Sequence, residues 1–339
     1  MRLSILIPHF KTGKMSAYSI AQFLKFKGRH ELDIIVIDNN SGDGSIKYLN
    51  PFLEHITVVD YPKDRMQSHG VALDWILPHI KTELFFTMES DSFPTVDGFL
   101  DYYERIIDNG YDFAASVLNL SGGQYGHPCG AIYKKSDWEL INNYCKKTEY
   151  SYFPNMAMKE GFACHLMVHW DALTKLVRTP DDYIELAESY KPFGIFSSLL
   201  KRDDYLPVVG PFHNGMGCSQ ESVKTYGNRT ISSEVPNILL DNKSKLIYRI
   251  GYEPGQYFCY MLLALGKKMF EIPTNTKWID GKFGHQQEYT INAAGFHHCW
   301  GVSAYKDVDP SDPIAKIKQE LPEKLYNSLP EHQKIKTND

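Results

Sequence analysis

The chain has 339 residues, 43% hydrophobic and 23% charged, a profile that excludes a disordered or fibrous protein. Lys and Arg number 36 against 41 Asp and Glu, for a net charge of −5, which excludes the basic footprint of a nucleic-acid binder. The length permits one large domain or two lobes around a cleft, and 18 Phe, 22 Tyr and 5 Trp can both build a core and line a pocket for sugar-like ligands.

The N-terminal MRLSILIPHF passes directly into a strand pattern, and its single basic residue, short apolar run and Pro8 do not make a signal peptide. The longest apolar run, Tyr257 to Leu265, falls well short of the roughly eighteen residues that a transmembrane helix needs. Cys129, Cys145, Cys164, Cys218, Cys259 and Cys299 form no CxxC pair, so buried free thiols in a reducing compartment are expected. Sequons at Asn119, Asn228 and Asn242 carry little meaning without an export signal. The expectation is a cytoplasmic protein, at most peripheral to a membrane, with no transmembrane segment.

Apolar runs at Leu3–Ile7, Ile34–Ile37, Ile56–Val59 and Leu84–Met88 have the length and continuity of strands covered on both faces. Helical periods lie between and after them: Ala17, Ile20, Ala21 and Leu24; Ile46, Leu49 and Leu53; Ala72, Ile76 and Ile80; Leu100, Tyr103 and Ile107. This alternation predicts an α/β fold with a mostly parallel sheet and right-handed crossovers. Ligands of such sheets sit outside the carboxyl ends of the strands, where Pro8-His9-Phe10, Asp38-Asn39-Asn40 and Glu89-Ser90-Asp91 all fall. Ser121–Pro128, Gly-rich and polar, reads as a mobile loop near the cleft. Residues 153–200 mix helical pieces with turns, and 201–230 read as irregular. A helix is expected over Gly255–Leu265, a strand over Met269–Ile272, and a peripheral helix with a frayed end beyond Lys306.

Two segments carry the local chemistry. The strand Leu84–Met88 delivers Glu89 and Asp91 together, an arrangement unfavourable unless a cation or water neutralises them; hard cations such as Mg²⁺ use one or two carboxylates plus substrate phosphates. The alternative is a merely solvated strand end. Asp38-Asn-Asn-Ser-Gly-Asp-Gly-Ser45 offers a carboxylate for a base or ribose and a turn that lets backbone approach a ligand, although these residues form turns everywhere. Neither a GxGxxG turn nor a Walker A sequence is present, which weakens dehydrogenase and ATPase readings.

SILIPHF, DIIVIDNNSGDGS, SHGVALD and LFFTMESDSFP, taken together, resemble the N-terminal half of a family 2 glycosyltransferase with the GT-A fold. The resemblance implies a Rossmann-like nucleotide-sugar-binding half over 1–120, an acceptor-binding and catalytic half over 121–305, and a tail over 306–339. It assigns nucleotide binding to Pro8, His9, Phe10, Asp38 and Asn39, with His69, Glu89, Ser90 and the basic Arg65 nearby. Glu89-Ser90-Asp91 stands at the family's DXD motif, with Glu for the first Asp, and Asp91 is the implied metal ligand for Mn²⁺ or Mg²⁺. More weakly, YEPGQYF and FHHCWGVS are similar to the family's acidic helix start and final His element. Glu253 maps to the catalytic base and His297 or His298 to the terminal His; in a strand only one of the pair can face the cleft. Ser68 reads equally as a helix cap.

The implied reaction is a hexosyltransferase-like single displacement with inversion, from a UDP-, GDP- or dTDP-linked sugar to a hydroxyl on a glycan, lipid-linked or small-molecule acceptor. A metal would stabilise the departing diphosphate, and a carboxylate would take the acceptor proton. Two rivals stand beside it. One is a non-catalytic sugar-nucleotide or glycan-binding module on the same fold. The other is a nucleotidyltransferase, disfavoured because Pro8–Lys14 holds a single Gly where such enzymes carry a Gly-rich basic loop.

Overall fold

The computed structural model describes residues 1–62, 69–120, 123–147, 265–281, 284–302 and 308–335, with positions 190–191, 200–201, 255, 258–259, 262 and 305 between them. In order these are β1 (Arg2–His9), α1 (Gly13–Phe26), β2 (Glu31–Asp38), β3 (Ile56–Asp60), α2 (His69–Ile76), β4 (Leu84–Thr87), β5 (Ser92–Pro94), α3 (Phe99–Asp108), β6 (Phe113–Leu120), β7 (Gly123–Lys134) and α4 (Lys135–Lys147). A two-residue pair, β8 (Tyr190–Lys191) and β9 (Leu200–Lys201), precedes β10 (Met269–Ile272), β11 (Thr274–Gly281), β12 (Gly284–Asn292), β13 (Phe296–His298) and α5 (Pro313–Asn327).

Seven strands form the main sheet in the order β10-β6-β7-β4-β1-β2-β3. Every pairing is parallel except the two made by β7. This is the mixed α/β class, with a mostly parallel central sheet, expected above. The apolar runs follow from burial on both faces. Along β1, Leu3, Ile5 and Ile7 join Ile20, Phe23, Leu100 and Tyr103 on the α1/α3 side, while Leu6 joins Leu73, Ile76 and Trp138 on the α2/α4 side. Each such side chain taken out of water contributes about 1.5–3 kcal/mol. Phe258, Cys259 and Leu262 of the helix expected over Gly255–Leu265 are buried in the α2/α4-side core, while Leu265, expected on the same face, is exposed; apart from Gly255, the rest of that segment and almost all of 153–230 lie outside the described residues.

Three local expectations are corrected. Residues 45–52 form a 3₁₀ helix containing Pro51, which lacks an N–H and so does not suit an α-helix interior. The tighter winding buries Leu49 and Phe52 at a spacing of three and leaves Leu53, expected on the apolar face, 54% exposed. The α2 period stops at Ile76, where Pro78 turns the chain into a 3₁₀ turn over Leu77–His79. Gly123–Pro128, read as mobile loop, belongs to β7 and pairs with β6. Its Gly and Pro content misled because the ladder with β6 and β4 stabilises the strand, and the Pro128 region falls at a register shift, where a strand tolerates proline.

A second, antiparallel sheet runs β11-β12-β13-β5. Its member β5 starts immediately after Asp91 and pairs with β13, placing His298 opposite Ser92. Phe296 anchors β13 in the core, its ring 5.3 Å from Phe86 and 6.1 Å from Phe23. Gly130, at φ 81, lets that ring approach: a Cβ there would lie 2.7 Å from it. The expected tail helix forms as α5, capped by the Asp312 carboxylate accepting from Ile314 N–H at 2.9 Å, with Pro313 following the cap. It buries Ile314, Ala315 and Tyr326, and its buried Lys318 donates to the carbonyls of Glu288 and Cys299. No helix of the described residues is long and apolar enough to cross a membrane.

Candidate functional site

Parallel pairing puts the carboxyl ends of β2 and β4 on either side of the end of β1, so Asp38 and Glu89–Asp91 open onto the same edge of the sheet. The loop after β1 ties them together. Lys11 N–H donates to Ser41 Oγ at 3.0 Å, and Thr12 Oγ1 donates to Ser90 Oγ at 2.8 Å. Ser41 N–H in turn donates to Asp38 Oδ1 at 3.1 Å, and buried Asn39 donates its backbone N–H to His9 O at 2.9 Å. Pro8, Phe10 and Asp38 are partly exposed along this edge. His9 is not available there. Its side chain is fully buried, with Nδ1 2.8 Å from Ser16 Oγ and Nε2 3.2 Å from Ser45 Oγ, so of His9 only the backbone lies at the edge where Pro8 to Phe10 were expected to meet a nucleotide. The strand pleat turns it into the α1 side, where it joins that helix to the 45–52 segment.

The acidic turn is built from both sheets. Cys299 N–H donates to Asp91 O at 3.0 Å, and Val302 N–H donates to Asp91 Oδ2 at 2.9 Å. Asp91 Oδ1 is buried with no hydrogen-bond partner among the described residues. It lies 3.5 Å from His298 Nε2, which is 3.2 Å from Glu89 Oε2. His69, at the start of α2, brings Nδ1 to 3.8 Å from Glu89 Oε1. Donor atoms of Glu89, Asp91 and His298 all fall within 4.8 Å of one another. Burial opposes the charged form of His298, but Cys129, Glu89 and Asp91 outweigh it and hold the pKa well above the ordinary value. Burial would raise the Glu89 carboxyl, yet His298 above all, with His69 and His127, holds it far below the usual range. An imidazolium thus balances part of the acidic charge. A divalent cation fits the same set: two carboxylates and one imidazole are suitable donors, Asp91 Oδ1 has only the 3.5 Å ion pair with His298 and no hydrogen bond among the described residues, and cation binding would release the His298 proton.

His297 does not join this set. Alternation along β13 turns it to the other face, where it stacks on Phe93 at 5.1 Å and lies 4.7 Å from Tyr289; burial, reinforced by the positive charges of His298 and Lys318, lowers its pKa to about 4. His297 as a metal ligand is therefore corrected, and His298 is the member of the pair that faces the acids. Arg65, Ser68 and Glu253 lie outside the described residues. Sequence reasoning missed His127 and Trp300. His298 stacks on Trp300 at 4.2 Å, and His127 lies 5.6 Å away on a near-parallel plane. The indole, on a backbone at φ 51, donates Nε1–H to Thr290 Oγ1 at 2.7 Å. The available signal for His127 was a His and a Cys two residues apart, hidden in a segment whose composition imitates a loop.

In open α/β sheets ligands bind outside the carboxyl ends of the strands, which here is the edge that holds Asp38 and the Glu89–Asp91 turn. Residues 4–156 match the model of the family described as glycosyl transferase family 2. Comparison with curated proteins gave no match. Among solved structures, the chain is similar to the mannosyltransferase PcManGT from Pyrobaculum calidifontis, in complex with GDP-Man and Mn²⁺, at 15% identity and TM-score 0.37, covering 41% of this chain and 46% of that one. It is similar to S. aureus TarS 1–349 in complex with UDP-GlcNAc at 15% identity and TM-score 0.35, covering 43% of this chain and 48% of that one. The chain thus spans under half the length of these structures.

Proposed function

We propose that the chain transfers a sugar, with inversion, from a nucleoside-diphosphate donor to a hydroxyl acceptor at the crevice between Asp38 and Asp91. The observation that carries this reading is the convergence of Glu89, Asp91 and His298, with a buried Asp91 oxygen left unbonded among the described residues, inside a family 2 segment. Asp91 and His298, with Glu89 beside them, would hold Mn²⁺ or Mg²⁺. Bound there, the cation supplies Lewis-acid stabilisation of charge on the departing diphosphate.

The chain's own residues divide the remaining work. Asp38 and Asn39, with Pro8 and Phe10, form the edge against which the nucleoside would rest. The Thr12–Ser90 and Lys11–Ser41 bonds hold both acidic turns in one register, so that binding does not have to order them. Val302 N–H fixes one Asp91 oxygen and leaves the other directed at His298. Glu253 is the proposed base that accepts the acceptor hydroxyl's proton, an assignment that rests on the family resemblance.

The test is calorimetry of UDP, GDP and dTDP with and without Mn²⁺, followed by turnover of the matching sugar nucleotides. Asp91→Asn is expected to weaken Mn²⁺ by about tenfold or more, and Glu253→Gln to lower kcat by about 10²–10⁴ while nucleotide binding persists. Nucleotide binding that ignores both Mn²⁺ and Asp91→Asn, with no turnover, would instead establish a non-catalytic binding module.

A further inference from the structure

The segment that follows β13 is bent against its own preferences. Trp300 and Gly301 are consecutive left-handed residues, at φ 51 and φ 65, and a bulky side chain at positive φ persists only where its surroundings hold it. The bend carries the two amides that grip Asp91: Cys299 N–H donates to Asp91 O at 3.0 Å and Val302 N–H to Asp91 Oδ2 at 2.9 Å. One anchor of the bend is the Trp300 indole, whose Nε1–H donates to Thr290 Oγ1 at 2.7 Å. The other is α5. Lys318, 1% exposed, donates from Nζ to Cys299 O and to Glu288 O on β12. The next residue, Gln319, donates from Nε2 to Tyr305 O at 2.8 Å and to Val308 O at 2.6 Å. A lysine is almost never buried so fully without partners, and here the partners are main-chain carbonyls, one on β12 and one just after β13. An ammonium has three donors on a long stem, so a single side chain serves both carbonyls and sets where the end of β13 lies against β12.

We propose that Lys318 is a positioning residue of the cation centre: through the Cys299 carbonyl it fixes the 299–302 bend, whose amides hold Asp91 with Oδ1 left directed at His298. The inference rests on the cation site proposed above. It adds α5, which lies beyond the residues 4–156 matched by the family model, to the parts on which that site depends. Lys318 reaches Asp91 through the backbone of the bend, in the way that an outer partner orients a ligand without touching the ion.

The test measures Mn²⁺ binding to the full chain by electron paramagnetic resonance, alongside urea unfolding. Lys318→Met keeps the apolar stem and removes the donors. It is expected to weaken Mn²⁺ by about tenfold or more, as loss of an outer partner does, and to speed amide hydrogen exchange at Val302. Ile314→Ala, at another buried residue of α5, is expected to lower the unfolding midpoint and leave Mn²⁺ affinity unchanged. Lys318→Ala opens onto a crevice of about 560 Å³ that Lys318 lines together with Tyr48, Val302 and Gln319. Propylammonium, the excised part of the side chain, is therefore expected to restore Mn²⁺ affinity to Lys318→Ala, and propanol is not. Unaltered Mn²⁺ affinity in Lys318→Met would overturn the proposal. So would losses of affinity that follow stability alike in Lys318→Met and Ile314→Ala, or an equal response to the two additives. Asp91→Asn separates the two levels of argument. If it loses Mn²⁺ while Lys318→Met keeps it, only the Lys318 assignment falls; if it keeps Mn²⁺, the cation centre falls and takes the assignment with it.

Discussion

Asn292 is the hinge on which the β12–β13 turn hangs. Its Oδ1 accepts the backbone amides of Ala294 and Phe296, each at 3.0 Å, and its Nδ2 donates to Tyr103 Oη at 3.1 Å and Ser116 Oγ at 3.2 Å. Asn292, Ala294 and Phe296 are all buried. Asn292→Ala strands two amides away from water, at about 1–3 kcal/mol each, whereas Tyr103 Oη keeps its own bond to Gly130 O at 2.7 Å. With partial relaxation the expected loss is about 3–4 kcal/mol, a large share of a typical 5–15 kcal/mol. Asn327→Ala, on the exposed face of α5 with one bond to Glu323, should cost less than about 0.5 kcal/mol. Urea unfolding of the three proteins measures the difference. The same turn launches the strand of His298, so Mn²⁺ affinity should fall with stability in Asn292→Ala. An Asn292→Ala chain within about 1 kcal/mol of the parent would refute the reasoning that these amides have no substitute acceptor.

His298→Ala should lose cation binding by about tenfold or more, whereas His297→Ala should lose only its stacking on Phe93, about 1 kcal/mol; calorimetry showing equal effects would reject the facing assigned to β13. His9 gives a pH signature. Burial depresses its folded pKa, so as pH falls through about 6.5 the unfolded chain takes up a proton that the folded chain refuses. Stability is therefore lost on acidification from that point, and His127, lowered to about 3 by burial, extends the loss toward that pH. His298, raised, acts oppositely: its contribution is present below about 6.5 and lost as pH rises through its folded value. His9→Gln should flatten the fall in unfolding free energy between pH 7 and 5 by up to about 1.4 kcal/mol per pH unit; an unchanged slope would show that His9 titrates alike in both states.

The first four strands and the acidic turn were legible because burial on both sheet faces demands unbroken apolar runs, and a pair of acids ending such a run breaks the pattern abruptly. The strand β7 was not, since its Gly and Pro content signals a turn and only pairing with β4 and β6 makes it a strand. Nor were β5 and β13 as partners: three-residue strands carry no periodicity, and their pairing spans about two hundred residues. The FHHCWGV run could be flagged, but choosing between its two histidines required the pleat phase set by Phe296 in the core. His69 could be placed near the acids from the family pattern, whereas its approach to Glu89 depends on how α2 enters the core. Asn292 has no signature at all, being one Asn among many until the turn it fastens is seen.

Because β5 leaves the main sheet directly after the acids to lie beside β13, the crevice is a seam stitched from the early and late parts of the chain. Its early side comes from the ends of β2 and β4, and its histidine from β13, which pairs with β12 and β5. A chain still emerging from the ribosome would thus carry Asp38, Glu89 and Asp91 before His298 and the Cys299 and Val302 amides that fix Asp91. The capacity to grip a cation would then depend on the early and late segments being docked together, and cation binding would report that docking.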